Sequence, residues 1–556
     1  MVDDQSSIVN RQSSIPNPQS AIPNRQSRTP PYVVILATVL ACVPILAVAQ
    51  FAALCRVDDI DSVLFAYYGK RMVAGQQLYV DLWDNKPPGI FWIDAAGLWL
   101  AQGYYAGIVV VCSLATLGSA TLFFLTARRL YSLNVAAVGT VLAALYINLY
   151  YYHVGSNRPS TFYVFFELLT LLLYCRAFDR GRSAPLHLFL GGASAVGAIC
   201  FRQTVFAVPA AIVVHQLYLL VTRRRSFAEV VGVFRPMAAG AVVALLAVIG
   251  LLWWTSDPGA AWHGAVVSNL GYVTESKQSR IAPQLYGWRD HEEVLALPLI
   301  LAAAAVIHGL VTRVKNPQSP IPNPQSSIVN RQSAPVAGPL AIFVLLVAWL
   351  PIATYLALIG PHRAYHYYGI ALPPLLMLAT HGVWLLMRRD DESRAPRFYV
   401  ILAVLWFIHM SVPVARLQVH SAMAAYNRRF DDRYVDRWGL TVDAILEHTD
   451  PQDTLFSIRY QPWVFWRTNR PLAHPYILET MIDQWQERSQ PFVDEVIGDL
   501  KAAPPKAIIA SRADVRNMEQ PDEKAKVTFR DLGAWLRGHY TLVNPQQGDD
   551  VWIRNY

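Results

Sequence analysis

The chain has 556 residues, of which 54% are hydrophobic and only 15% are charged, with a formal net charge of +8. So few charges cannot coat a soluble particle of this size, and apolar windows of about 20 residues, enough to cross a hydrocarbon layer as a helix, recur through the first three quarters of the sequence. The arginines cluster beside these windows (Arg128 and Arg129, Arg223 to Arg225, Arg388 and Arg389), which marks cytoplasmic loops of a polytopic membrane protein and argues against nucleic acid as a partner.

Residues 1–31 are polar and repetitive. Ser6 to Ser13 reads SSIVNRQS and Ile15 to Ser20 reads IPNPQS, and both words return at Ser326 to Ser333 and Ile321 to Ser326. Such Pro-, Asn-, Gln- and Ser-rich segments bury too little apolar surface to fold, so both the tail and the internal loop 314–337 are expected to be disordered. Tyr32 to Leu54 is the first span. Arg25 and Arg28 hold the N-terminus inside, and a small-residue cleavage site is lacking, so the span is read as a retained helix. Residues 55–106 then form the first outer loop, with interfacial helices expected at Ser62 to Val73 and Gly89 to Gly103. Further spans follow at Gly107 to Thr126, Leu133 to Tyr152, Ser160 to Phe178, His187 to Cys200 and Thr204 to Val221. Pro236 to Trp254, Leu295 to Thr312, Gly338 to Ile359, Ile370 to Met387 and Phe398 to Val414 complete about eleven. The expected fold is thus mainly α, with a membrane domain over residues 32–414. The N-terminus falls inside and the C-terminus outside. Residues 415–556 change to soluble composition. β-prone runs at Thr454 to Ile458, Ala507 to Ile509, Tyr540 to Val543 and Val551 to Ile553 alternate with helical patterns at Tyr434 to Glu447, Phe492 to Leu500 and Phe529 to Arg537, which predicts a small extracytoplasmic α/β domain. It carries no Gly-rich phosphate loop or obvious triad, so it is expected to cap or bind.

The chemistry concentrates between Arg56 and Trp92. Asp58 and Asp59 directly follow the first span, at headgroup height, where a carboxylate can take a proton from an acceptor hydroxyl or amine while its neighbour orients it or holds a cation. Their other reading is a solvated loop start or helix N-cap. Lys86 precedes Pro87 and Pro88, which fix an extended bend and so hold the ammonium in one place, where it suits a lipid phosphate. Otherwise it is a snorkelling interfacial lysine before a helix-start proline. Arg202 lies in a link short enough to keep it at the outer surface, either on a phosphate or carboxylate or snorkelling, and Glu167 sits inside a span as a bundle contact or cavity acid. His362 and His366 stand four residues apart beside Arg363, Tyr367 and Tyr368. One such pair is a weak metal signal, and an aromatic interfacial belt is the stronger reading. The five cysteines form no zinc spacing or disulfide framework.

Asp58 and Asp59, then Tyr68, Ala74 and Gly75, then Tyr79, Asp81, Trp83 and the run Asp84 to Gly89 (DNKPPG) together resemble the first outer loop of bacterial GT-C glycosyltransferases. The group is glycosyltransferase family 39 and relatives, the dolichyl-phosphate-mannose-protein mannosyltransferases and aminoarabinose transferases. HYY before Pro373 and Pro374 resembles a later family segment. The resemblance implies an inverting transferase of the cell membrane, bacterial inner membrane by its relatives, that moves a sugar from a polyprenyl-phosphate donor to a lipid, glycan or protein acceptor. It places the catalytic acid on Asp58 or Asp59, favouring Asp58, and the carrier phosphate on Lys86. Arg202 and Arg363 would add positive charge there, and Tyr68, Tyr79, Asp84, His366 and Tyr367 would line the substrate pocket. The loop His153 to Ser160 lacks the second acid of some members, which weighs against a two-acid or metal-assisted mechanism. No cofactor is fixed by the sequence, a divalent cation being the one open option. The competing class is a transporter or lipid flippase, which should show paired broken helices in related halves. Deleting Asn316 to Ser333 should leave expression, membrane insertion and activity unchanged, as measured on the purified variant.

Overall fold

The computed structural model describes residues 30–55, 60–148, 156–178, 184–270, 292–315, 339–358, 365–387, 411–412, 414–416, 419–420, 422–423, 439–458, 461–476, 489–510, 530–543 and 550–555. Both copies of the repeat, most of the expected span Phe398 to Val414 and the loop 271–291 lie outside them.

Apolar runs become helices because a backbone in hydrocarbon must satisfy its own N–H and C=O groups. Among the described residues, α1 (Pro31–Cys55), α4 (Ala106–Leu130), α9 (Phe227–Thr255) and the segment Tyr367–Met387 supply four stretches long and apolar enough to cross a membrane. Further helices pack around them: α5 (Leu133–Ile147), α6 (Pro159–Arg176), α7 (Ala184–Ile199), α8 (Ala207–Val221) and the helices Glu292–Lys315 and Pro339–Leu358. A 3-10 turn, Tyr365–Ala371, leads into the helix Leu372–Met387.

α9 begins nine residues before the expected start at Pro236. Ser226 Oγ accepts from Glu229 N while Ser226 N donates to Glu229 Oε2, a capping box that nucleates the helix at Phe227. Pro236 then sits inside, as membrane helices tolerate, rather than at the first turn. The α7 and α9 backbones meet through glycines. A Cβ on Gly192 would run into the Met237 carbonyl, and one on Gly240 into that of Phe189, so the pair uses small residues for close approach in place of a hydrophobic driving force.

Between α1 and α4 lie α2 (Ile60–Val73) and α3 (Gly89–Leu100), which cross where Gly69 rests on the backbone of Asp94 and Ala95. An interfacial helix should keep one face open, yet Ser62 to Gly69 are buried all round. The cover comes from the far end of the chain. The helix Pro462–Thr468 lies on α2, with Tyr67 and Phe465 rings 5.6 Å apart and Lys70 Nζ 4.9 Å above the Trp466 ring.

The C-terminal residues form a four-stranded sheet in the order β1-β2-β4-β3, with β1 (Leu455–Ser457) parallel to β2 (Ala507–Ile509) and antiparallel pairs β2–β4 and β4–β3 (β4 Val551–Arg554, β3 Tyr540–Leu542). Strand alternation sends Phe456, Ile508 and Trp552 to one face, under the helices Ser489–Ala502 and Arg530–His539. It sends Leu455, Ala507, Ile509, Val551 and Ile553 to the other, where they join the same apolar cluster as the bundle. Both faces are therefore core. Gly192→Leu should force α7 and α9 apart and cost about 1–3 kcal/mol, read as a lower unfolding temperature of the protein in detergent.

Candidate active site

The turn between α2 and α3 is fixed from inside and outside. Tyr79, in the left-handed region with φ 66°, donates its N–H to the Leu82 carbonyl at 2.7 Å and its hydroxyl to the Lys86 carbonyl at 2.6 Å. Tyr68 donates its hydroxyl to the Trp83 carbonyl at 2.9 Å. Pro87 and Pro88 remove two donors, and the next amide, Gly89 N–H, bonds the Cys200 carbonyl at 2.8 Å. A Cβ on Gly89 would strike that carbonyl, so glycine here is a requirement of close approach. Gln203 Nε2 donates to the Asn85 carbonyl at 2.9 Å and to that of Ala265 at 2.7 Å. The α7–α8 link thus grips the turn on both sides of Lys86.

Lys86 projects from this frame with its side chain 33% exposed, enough to meet a ligand. Asp84 Oδ1 accepts from Lys86 N at 2.9 Å and faces Lys86 Nζ at 3.4 Å. Nζ also lies 5.2 Å from the Phe65 ring centre. Burial pulls the ammonium's pKa down, but Asp84, Asp61 and Tyr367 outweigh it against the opposing charge of Arg158, and the net direction is upward. The amine therefore stays charged through neutral pH.

The acid and the arginine named in that balance form the second half of the site. Asp61, in the first turn of α2, pairs with the buried guanidinium of Arg158, just before α6. Arg202 completes the rim, donating from Nε to Thr204 Oγ1 at 3.1 Å with its guanidinium 4.2 Å from the Tyr367 ring centre. Lys86, Asp84, Tyr367 and Arg202 thus converge as the sequence suggests. Tyr68 and Tyr79 are beside them, but their hydroxyls are engaged by the turn's own carbonyls, which makes them its scaffold. Asp58, Asp59, His362 and Arg363 lie outside the described residues, as does the side chain of His366. Glu167 is buried inside α6. Asp61, Arg158 and Gln203 are site residues that sequence reasoning missed. The only signal for Asp61 was its place two residues after the tandem acids. Among the described residues no three His, Cys, Asp or Glu side chains gather as a metal would need.

A bundle of apolar helices with a lysine-bearing turn clamped at one end and a small sheet domain packed on it defines a polytopic membrane protein of the GT-C fold. Residues 85–254 match the family model described as dolichyl-phosphate-mannose-protein mannosyltransferase. ArnT from Cupriavidus metallidurans in the apo state shares the fold with a TM-score of 0.55 and 15% identity, over 93% of this chain and 98% of that one. The same enzyme bound to undecaprenyl phosphate gives 0.50 and 14%, over 92% and 97%. The Archaeoglobus fulgidus oligosaccharyltransferase in complex with Zn and sulfate gives 0.50 and 11%, over 92% of this chain and 73% of that one. No curated protein sequence matches significantly. The segment match covers residues 85–254, and over the rest of the chain the likeness to these enzymes is one of fold. Because the Asp84 carboxylate raises the Lys86 pKa, NMR titration of the methylated lysine should give a midpoint above the ordinary lysine value, and Asp84→Asn should lower it.

Proposed function

We propose that the chain transfers a sugar from a polyprenyl-phosphate donor to a hydroxyl or amine of a lipid, glycan or protein acceptor at the outer face of a bacterial inner membrane. The observation that carries this reading is the partly exposed Lys86 ammonium held between the Asp61–Arg158 pair and the Arg202–Tyr367 pair. The arginine clusters beside the spans support the orientation, with the N-terminus inside and the sheet domain outside.

In this mechanism Lys86 and Arg202 hold the donor phosphate. As the bond from the anomeric carbon to the phosphate oxygen breaks, its electron pair stays on the phosphate, and fixed cations aimed at that growing charge favour the transition state over the ground state. The acceptor attacks the opposite face of the anomeric carbon, which inverts it, and its proton passes to a carboxylate. Asp61 is the candidate base among the described residues. Its pairing with Arg158 fixes where the carboxylate sits. Asp58 and Asp59 precede it by three and two residues, and the Asn series separates the three.

With labelled polyprenyl-phosphate sugars and cell-envelope acceptors in proteoliposomes, the wild type should form product. Asp61→Asn should lower kcat by about a hundredfold or more, as for loss of a general base. Lys86→Ala should raise the donor KM by about tenfold, the value of a charge-assisted contact of about 1.5 kcal/mol. Full activity of Asp61→Asn with loss in Asp58→Asn or Asp59→Asn moves the base upstream. Passage of labelled donor across the bilayer without transfer makes the chain a flippase.

A further inference from the structure

Directly behind the Asp61–Arg158 pair is a buried polar cluster with no part in the proton or phosphate chemistry. Asp94 of α3 is completely buried, and its Oδ2 accepts from Asn157 Nδ2 at 2.7 Å. Asn157 is the residue before Arg158, and it is bound to α2 twice over. Its Nδ2 donates to the Ser62 carbonyl at 3.0 Å, and its own carbonyl accepts from Ser62 Oγ at 2.9 Å. Ser62 is the residue after Asp61. Two adjacent pairs, 61–62 and 157–158, are thus laid side by side, one rung made by Ser62 and Asn157 and the next by Asp61 and Arg158.

Asp94 fixes the inner end of this ladder. It can reach Asn157 because Gly69 lets α3 press its Asp94–Ala95 backbone against α2. Its other oxygen, Oδ1, has no hydrogen-bond partner among the described residues. An acid kept fully buried for one accepted hydrogen bond is a costly choice for packing alone, since an apolar residue of similar size would fill the space without a desolvation penalty.

We infer that Asp94 and Asn157 are positioning residues that hold the Arg158 guanidinium on the Asp61 carboxylate in the geometry the transfer step needs. This rests on the reading of Asp61 as the base. Neither residue touches substrate in this scheme. Their effect passes through Arg158, and a displacement of about 1 Å in such a group can cost about a hundredfold in rate.

Asp94→Leu removes the acceptor oxygen and keeps the bulk, whereas Asp94→Asn keeps an oxygen for Asn157 Nδ2. Asp94→Leu should lower kcat by about tenfold or more, with donor KM within about twofold of wild type, and Asp94→Asn should stay near wild type. Combined with Arg158→Ala, Asp94→Leu should cost nothing further, because both remove the same placed guanidinium. A readout independent of turnover is the rate at which phenylglyoxal modifies Arg158, mapped by mass spectrometry. It should rise about tenfold or more in Asp94→Leu and stay at the wild-type value in Asp94→Asn, as expected when a buried pair opens. Asn157→Ala tests the same link if Asp94→Leu is not recovered folded. Additive losses in the double variant, equal losses in Asp94→Asn and Asp94→Leu, or unchanged Arg158 labelling would each overturn the inference. Absence of transfer by the wild type would instead remove the parent reading, and the labelling result would still decide whether Asp94 places Arg158.

Discussion

The site depends on one backbone contact, the Gly89 amide on the Cys200 carbonyl at 2.8 Å. Two prolines before it leave the turn unable to hydrogen-bond within itself at those positions, so the turn takes its shape from a neighbour. The neighbour is the end of α7, itself locked to α9 by glycines. Rigidity in the middle of the bundle is thereby handed to a loop at its edge, where it holds the Lys86 backbone in place. The same turn is braced from below by Tyr68 and Tyr79 and from the side by Gln203. Preorganisation of this kind matters because a cation that must first be ordered contributes less to the transition state than one already in place.

Opposite charges in the site are interleaved. Asp84 faces Lys86, Asp61 faces Arg158, and Tyr367 lies beneath Arg202. Lys86 and Arg158 each have a carboxylate partner that offsets their desolvation, Arg202 lies against an aromatic face, and Lys86 keeps an open side. On that side stands an ammonium whose charge is reinforced by its surroundings.

Much of the fold was legible because its causes are local. Hydropathy and flanking arginines mark the helices, strand alternation marks β1 to β4, and the double proline singles out Lys86. What escaped was non-local. Asp61 and Arg158 are 97 residues apart, and nothing in HVGSNRPS or in the start of α2 advertises that they meet. Gln203, beside Arg202 in the short link, was given no role by the sequence, though its amide joins two loops. Tyr68 and Tyr79 were expected to line the substrate pocket, but whether a phenol lines a pocket or props a backbone depends on which carbonyl it finds. The burial of α2 was hidden because its cover is encoded far downstream. The expected start at Pro236 fell late because the capping box at Ser226, which begins α9 at Phe227, was not read from the sequence.

That distant cover has a consequence for how the protein is made. The Tyr67 hydroxyl donates to the Arg470 carbonyl across 403 residues, and Trp83 N–H donates to the Pro475 carbonyl. During synthesis the lysine turn emerges hundreds of residues before the segment that covers it. The nascent chain therefore carries α2 and this turn uncovered through much of its insertion, until that segment docks.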